Sequence, residues 1–546
     1  VNVPSLWAEL KRRHVLQVTG AYLVAGWVVI EVASTVLPEL NAPEWSMRAL
    51  IGAVAALVPV VIVVSWVFDL TRTGIVRTDE VPLPPVRDPG PSVAVLPFAN
   101  LSPDPDNEYF SDGITEDIIA RLSSIEGVRV ISRTSVMRYR NTDRTVRQIG
   151  RELGVKTVLE GSVRRADNRV RIVAQLIDAR DDSHLWSEGY DRELEDIFAI
   201  QTDVAHRIAG ALETRIAGTV PRPERETSVK AYELYLKGRY AWNQRTPASL
   251  QRGVELLEAS IEADPTYALA HAALADAYLT LSYGIAAPSD VMPRAEAAAS
   301  RALELDPSLA EGWSARATVR ALYRWDWDAS ESEFERAIEL NPQYSTARSW
   351  LALNCLAPQG RFDAARTQLE AARRVDPLAP VIGTCLGILS FFERSYERAV
   401  SELSAVLESD PGFALAHYFM GQVRTEQGRF DAAADQLSRA MELTDGSAES
   451  TAALGYARAR AGDGEGARSL LDTLEARTAA GYVSPVHLAQ VRIGLGETGP
   501  ALDRLEDAVE ARASELAWLA VRPVFDPLRG EPRFRALLEA VGLDAP

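Results

Sequence analysis

Cysteine is almost missing: Cys355 and Cys385 are the only two in 546 residues. That excludes a disulfide framework and a cysteine-rich zinc site, and fits a reducing compartment. Lysine is nearly as scarce, with four positions (Lys11, Lys156, Lys230 and Lys237) against 54 arginines, so arginine abundance reads as a compositional bias rather than a selected basic chemistry. The six histidines (His14, His184, His206, His271, His417, His487) never cluster at ligand spacing, and no GxSxG, HExxH or CxxC occurs. Hydrolases and metal enzymes lose their usual signals. A basic excess is also lacking: 58 Lys+Arg against 76 Asp+Glu gives a net charge of −18, which excludes a whole-protein nucleic-acid binder by charge. What remains, 25% charged and 47% hydrophobic residues, is an ordinary globular balance. At roughly 150 residues per domain the length predicts three or four units.

Two long apolar runs are present. Val15–Leu37 carries one charge, Glu31, and Ala49–Phe68 carries none, and each is long enough to span a bilayer. A cleaved signal peptide is not followed at once by a second full-length span, so residues 1–78 are expected to form a two-helix transmembrane hairpin. Lys11, Arg12 and Arg13 precede the first span and Arg72 and Arg77 follow the second, which places both ends in the cytoplasm. Trp45 and Trp66 suit interfacial positions, and Glu31 is read as snorkelling or pairing with the second helix rather than as an ion path.

The stretch 79–91 is proline-rich and extended. From Ser92 the pattern changes to strand, loop and helix: SVAVLPF, then a helix with Ile114, Ile118, Ile119 and Leu122 on one face. A strand at Val128–Ser132 and a short helix stopped by Gly154 come next. A hairpin follows, Thr157–Val163 and Val170–Leu176, with a further strand near Leu185 and Trp186 and a helix from about Ile197. The order predicts an α/β module with a mixed sheet over 92–215.

The runs SVAVLPFANLSPDPDNEYFSDGITEDI, VRVISRTSV, IGRELGVKTVLEGSVRR and VRIVAQLIDARDDSHLWSEGYDRELEDIFAIQ resemble the TolB amino-terminal-like, or FlgO-like, domain of bacterial proteins. The first 78 residues resemble the two-span leader often placed before that domain. The resemblance implies interaction rather than chemistry, since no catalytic residues are assigned to the domain. Some of its relatives are fused to a class III nucleotide cyclase. Only about 14 residues precede the first span, so neither that domain nor a winged helix is expected here.

After a second linker, 216–228, an Asp-Pro or Asn-Pro pair recurs with its proline at 265, 307, 342, 377 and 411. A period near 34 is that of the tetratricopeptide repeat, in which helical pairs bury their faces only against neighbours. Residues 229–546 are therefore expected to form an all-α tetratricopeptide solenoid of about eight pairs, closed by a cap holding Trp518, Phe525, Pro527 and Phe534. Such arrays bind peptides along the groove lined by their first helices. Tyr418, Gln422, Glu426, Tyr456 and Arg460 fall at those positions, as groove residues or as mere packing.

Two other clusters invite a chemical reading. Asp104, Asp106 and Glu108 alternate like calcium ligands but lack the central glycine and terminal glutamate of an EF-hand. Arg133, Arg138, Arg140, Arg144, Arg147 and Arg151 could hold an anion, a nucleotide or a lipid headgroup, against the plainer reading of a solvated face. No cofactor, metal or nucleic acid is expected. The chain reads as a non-enzymatic scaffold or sensor of the bacterial inner membrane, its soluble part in the cytoplasm, binding a protein or peptide partner. The alternatives are a regulator linked to cyclic-nucleotide signalling and a periplasmic envelope-assembly factor.

Overall fold

A computed structural model describes residues 90–104, 107–123, 125, 127–166, 168–211 and 227–544, with scattered positions between 27 and 77. The chain divides into two compact units, Val1–Asp88 and Pro89–Pro546. In the first, the described residues between Trp27 and Ala33 and between Trp45 and Leu57 are helical. Both expected spans, 15–37 and 49–68, lie largely outside the described residues, and no helix among the described residues is long and apolar enough to cross a membrane. Phe68, expected to close the second span, instead begins a strand, Phe68–Thr71, that pairs antiparallel with Gly74–Arg77.

The second unit opens with the mixed sheet. Its strands are β1 (Ser92–Val95), β2 (Ala99–Asn100), β3 (Arg129–Val130), β4 (Thr157–Ala166), β5 (Arg169–Asp178) and β6 (His184–Glu193). They lie in the order β3-β1-β4-β5-β6, with β2 also on β4. β1 is parallel to β3 and β4, while β4, β5 and β6 run antiparallel in succession. In β5, Val170, Ile172, Ala174 and Leu176 are buried while Arg169 and Arg171 are exposed, so one face meets the core. The helix Val146–Leu153 begins in a reciprocal cap, Thr145 and Gln148 each bonding the other's backbone, and ends on Gly154 at φ 61°. Helices Glu108–Ser123 and Ile197–Ala211 pack together, the latter also against β6.

Eight antiparallel helical pairs follow among the described residues, from Val229–Asn243 with Pro247–Ala263 to Pro485–Gly494 with Thr498–Glu510. Close approach within a pair rests on a glycine in the first helix facing a leucine in the second. A Cβ on Gly238 would stand 2.7 Å from Leu257, and on Gly421 2.4 Å from Leu437. The one long interval between the recurring prolines, 265 to 307, is taken up by a wide turn between Ala268–Leu281 and Pro288–Leu305. The first helices of the third and fourth pairs end as π-helix, Arg320–Arg324 and Leu351–Leu356.

Module and array form one body. The helix Val229–Asn243 packs on Glu108–Ser123. There the fully enclosed Tyr232 hydroxyl donates to Asp117, and Gln201 Nε2 donates to Asp117 and to Tyr232, each at 2.8 Å. Burial pushes the Asp117 carboxyl up to about 6. The free edge of the sheet at β3 is covered by the array: Val130 N–H donates to Gln343 Oε1 at 2.8 Å, and Gln343 Nε2 donates to the Val128 carbonyl at 2.7 Å. One side chain thus stands in for a neighbouring strand. Beside it, Asp376, from an Asp-Pro turn, accepts from the Ser132 and Ser135 hydroxyls.

Candidate functional site

Tyr418, Gln422 and Glu426 lie on successive turns of Ala414–Glu426, and Tyr456 and Arg460 do so on Ala448–Arg460. The spacing thus placed each set on one helix face, but that face is not an open groove. Tyr418 is 3% exposed, Gln422 5% and Tyr456 3%. Glu426 is half-buried, accepting from the Tyr456 hydroxyl at 3.1 Å, and only Arg460 is exposed, donating to the same hydroxyl at 2.6 Å. Of the two readings of these positions, groove or packing, the burial of Tyr418, Gln422 and Tyr456 favours packing, and at Tyr418 and Gln422 it is the chain's own end that meets the face.

That closing segment does more than cover the last pair. Arg522, itself 6% exposed, donates to Gln422 Oε1 at 3.1 Å, Gln490 Oε1 at 3.3 Å and the Tyr418 hydroxyl at 3.4 Å. Farther back, Arg512 donates to the Tyr323 carbonyl at 2.8 Å and Trp518 Nε1 to the Leu353 carbonyl at 2.7 Å. Both acceptors belong to the two π-helical turns, whose wider winding leaves carbonyls outside the regular ladder. Arg394 donates to the Val521 carbonyl and pairs with Asp526, and Trp327 Nε1 donates to the Val541 carbonyl at 3.1 Å. Leu516, Leu519, Phe525 and Leu528 are buried in the seam.

The seam is also electrostatically closed. His487 is fully enclosed, and burial drives its imidazole down to about 4, so it is neutral near pH 7. Burial likewise raises the Glu515 and Glu449 carboxyls. Gln422 Nε2, Gln490 Nε2 and the Arg522 Nε end there without a hydrogen-bond partner. Cys355 and Cys385 are buried, with thiols pushed up to about 12, and are held as unreactive thiols.

Most of the arginine cluster is paired with acids. Arg140 pairs with Glu108 and Asp112, Arg133 with Asp112 at 3.3 Å and Glu116 at 3.6 Å, Arg144 with Glu152, and Arg147 with Asp182 at 3.8 Å. Arg138 lies over the Tyr139 ring at 5.9 Å, and Arg151 is exposed. Four of the six thus face carboxylates, and Arg133 and Arg140 share Asp112. Among the described residues, no group of three or more His, Cys, Asp or Glu side chains is placed to hold a metal ion.

An open cleft of about 930 Å³ does exist where the module meets the first helical pair. Asn107, Glu108, Tyr109 and Arg165 line it from the module, and Glu233, Lys237, Tyr240, Gln244 and Arg252 from the pair. Arg165 pairs with Glu233 and donates to the Tyr109 hydroxyl at 2.9 Å, while the Lys237 ammonium sits 5.1 Å from the centre of the Tyr109 ring. These contacts fix the floor; Gln244 and Arg252 are exposed at the rim. Both charge signs and two phenol rings suit a polypeptide segment better than a single small ion. Asp104 and Glu108, of the acidic loop singled out in the sequence, line this cleft, but the cleft itself was not legible there, because its two walls come from segments far apart in the chain.

Residues 90–207 match the family described as HilA/YgeH-like transcriptional regulator, second domain. That family is described differently from the TolB amino-terminal-like one expected from the sequence of the same module. A Rhizobium meliloti protein named Putative adenylate cyclase 3 is 44% identical over 234 residues, 42% of this chain and 40% of that protein. The transcriptional regulator HilA of Salmonella typhimurium is 23% identical over 174 residues, 32% of this chain and 31% of HilA. The chain therefore spans less than half the length of either relative. Among solved structures, Pseudomonas aeruginosa PilF is 20% identical at a TM-score of 0.29, covering 37% of this chain and 90% of PilF. Yeast Tom70 is 15% identical at a TM-score of 0.37, covering 57% of this chain and 67% of Tom70.

Proposed function

We propose that the protein is a membrane-tethered, non-catalytic scaffold that binds a protein partner at the joint between its α/β module and its first helical pair. The observation that carries this reading is the cleft of about 930 Å³ walled by Tyr109 and Arg165 on one side and by Lys237, Tyr240 and Arg252 on the other. It is open, while the inner face of the later repeats is already filled by the closing segment. The repeat array supports the same class of function, since stacked helical pairs supply extended surface rather than reacting groups. Affinity capture from solubilised membranes tests it. Wild-type protein is expected to retain a partner that the Tyr240→Ala, Arg252→Glu variant loses, and equal capture by both overturns the assignment.

The tether rests on the two apolar stretches and the basic flanks. A reporter active only in the periplasm, fused at about Pro91, is expected to be silent; strong activity reverses the topology. A second reading, a regulatory part beside cyclic-nucleotide chemistry, takes its support from the name of the Rhizobium relative alone. It is distinguished by whether the captured partner is a cyclase. ATP or GTP turnover that tracks the purified chain itself would sink the non-catalytic view.

A further inference from the structure

The two edges of the sheet are treated differently. The β3 edge is two residues long and is covered by Gln343, as described above. The other edge, β6, runs for ten residues, His184–Glu193, nearly twice the usual strand length of about 5–6. It is bonded to β5 on one side. Apart from the Arg192 guanidinium on the neighbouring Asp191 carbonyl, no group outside β5 bonds a backbone N–H or C=O of His184–Arg192 among the described residues. A long open edge is a template for another strand, and folded proteins normally block one.

We propose that the open edge of β6 is an interface for β6 of a second copy of this chain, paired antiparallel about Gly189. A two-fold axis normal to the sheet keeps every side chain on its own face, so residues equally distant from the axis lie opposite one another. Centred on Gly189, this sets Glu188 opposite Tyr190, Ser187 opposite Asp191, Trp186 opposite Arg192 and Leu185 opposite Glu193. No two acids face each other, although the strand carries three, and an arginine meets an indole. Shifting the centre to Glu188 would place that carboxylate against its own copy. At Gly189 nothing projects to hinder approach: a Cβ there would meet only Val173, at 4.0 Å. Leu185, 44% exposed beside the half-buried Trp186, gives the seam apolar surface. In this register the copy sets its three acids against Tyr190, Ser187 and Leu185 and its arginine over an indole, avoiding the like-charge contacts that an acidic strand of arbitrary sequence would meet, which is why the second copy rather than a foreign strand is assigned.

The register makes the test direct, using the full chain in its native membrane. Gly189→Cys should give a disulfide-linked species of twice the chain's mass after mild oxidation. Wild-type chain, whose two cysteines are buried, should give none. Leu185→Cys should also give none, since the two copies of that residue would lie about 27 Å apart. Gly189→Asp, which sets two carboxylates face to face, should weaken self-association of the solubilised chain at least tenfold in light scattering. A wild-type chain that stays monomeric overturns the proposal. So does a dimer unmoved by Gly189→Asp, cross-linking that is equal at 185 and 189, or a Gly189→Cys chain whose disulfide partner is a different protein. Partner capture at the cleft uses other residues, so either idea can fail while the other stands.

Discussion

Arg522 donates to Tyr418, Gln422 and Gln490 from a place water scarcely reaches, so removing any partner leaves buried polar groups unmade. Tyr418→Ala is expected to destabilise the protein by about 3–5 kcal/mol, as deleting a buried ring does. A denaturant series on the variant checks this; a change below about 1 kcal/mol would mean the face is open after all. His487 adds a pH dependence of definite sign. Its folded value near 4 lies below the ordinary 6.5, so the unfolded chain binds the proton more readily. Its contribution is intact above about pH 6.5 and is lost as pH falls toward 4, by at most about 3 kcal/mol. Asp117 and Asp276, raised by burial to about 6 and about 7, work in the opposite direction, gaining stability on acidification. Unfolding free energies between pH 7 and 4 should therefore be compared with those of His487→Leu, in which the acid loss from this site is expected to vanish.

At the scale of elements, the joint between sheet and array depends on a side chain copying backbone. Gln343→Ala would leave the Val130 N–H and the Val128 carbonyl without their partner, at about 1–3 kcal/mol. Hydrogen exchange at Val130 should speed up accordingly, while exchange within β5 stays slow; unchanged protection at Val130 would show the edge is held by something else. Much of this level could be read beforehand. The strands of the module, the stop at Gly154 and the small residues within each helical pair follow from local spacing and turn chemistry. The π-helical turns could not, because their widened winding is matched by donors some 165 to 189 residues away, Trp518 and Arg512.

At the scale of the whole molecule, the closing segment fastens the array to itself. It buries Leu516, Leu519, Phe525 and Leu528 completely or nearly so. At about 1.5–3 kcal/mol for each large apolar side chain, this seam is worth on the order of 10 kcal/mol, comparable to the net stability of an entire domain. A chain ending at Glu510 is therefore expected to aggregate or to be cleaved rapidly by protease within the third to sixth pairs. A truncated chain as soluble and protease-resistant as the whole would mean the segment is a dispensable cover. The same magnitude argues against a partner peptide displacing it, which is why the proposed partner site is the cleft of the first pair.

Periodicity by itself determined the helical pairs, their number and the single strands, because each rests on interactions between residues near in sequence. The mixed sheet follows from the order of strands and helices, and its parallel pairs, such as Val93 with Thr157, join segments far apart in the chain. Periodicity also determined that Tyr418 and Gln422, and likewise Tyr456 and Arg460, share a helix face, since residues four apart always do. Tertiary structure alone decided what covers those faces. The sequence carried the arginines at 133, 140, 144 and 147, but the acids that neutralise them arrive from Glu108, Asp112, Glu116, Glu152 and Asp182 through folding. Burial and pairing are properties of segments that meet only when the chain closes on itself, and no local pattern encodes which segments those are.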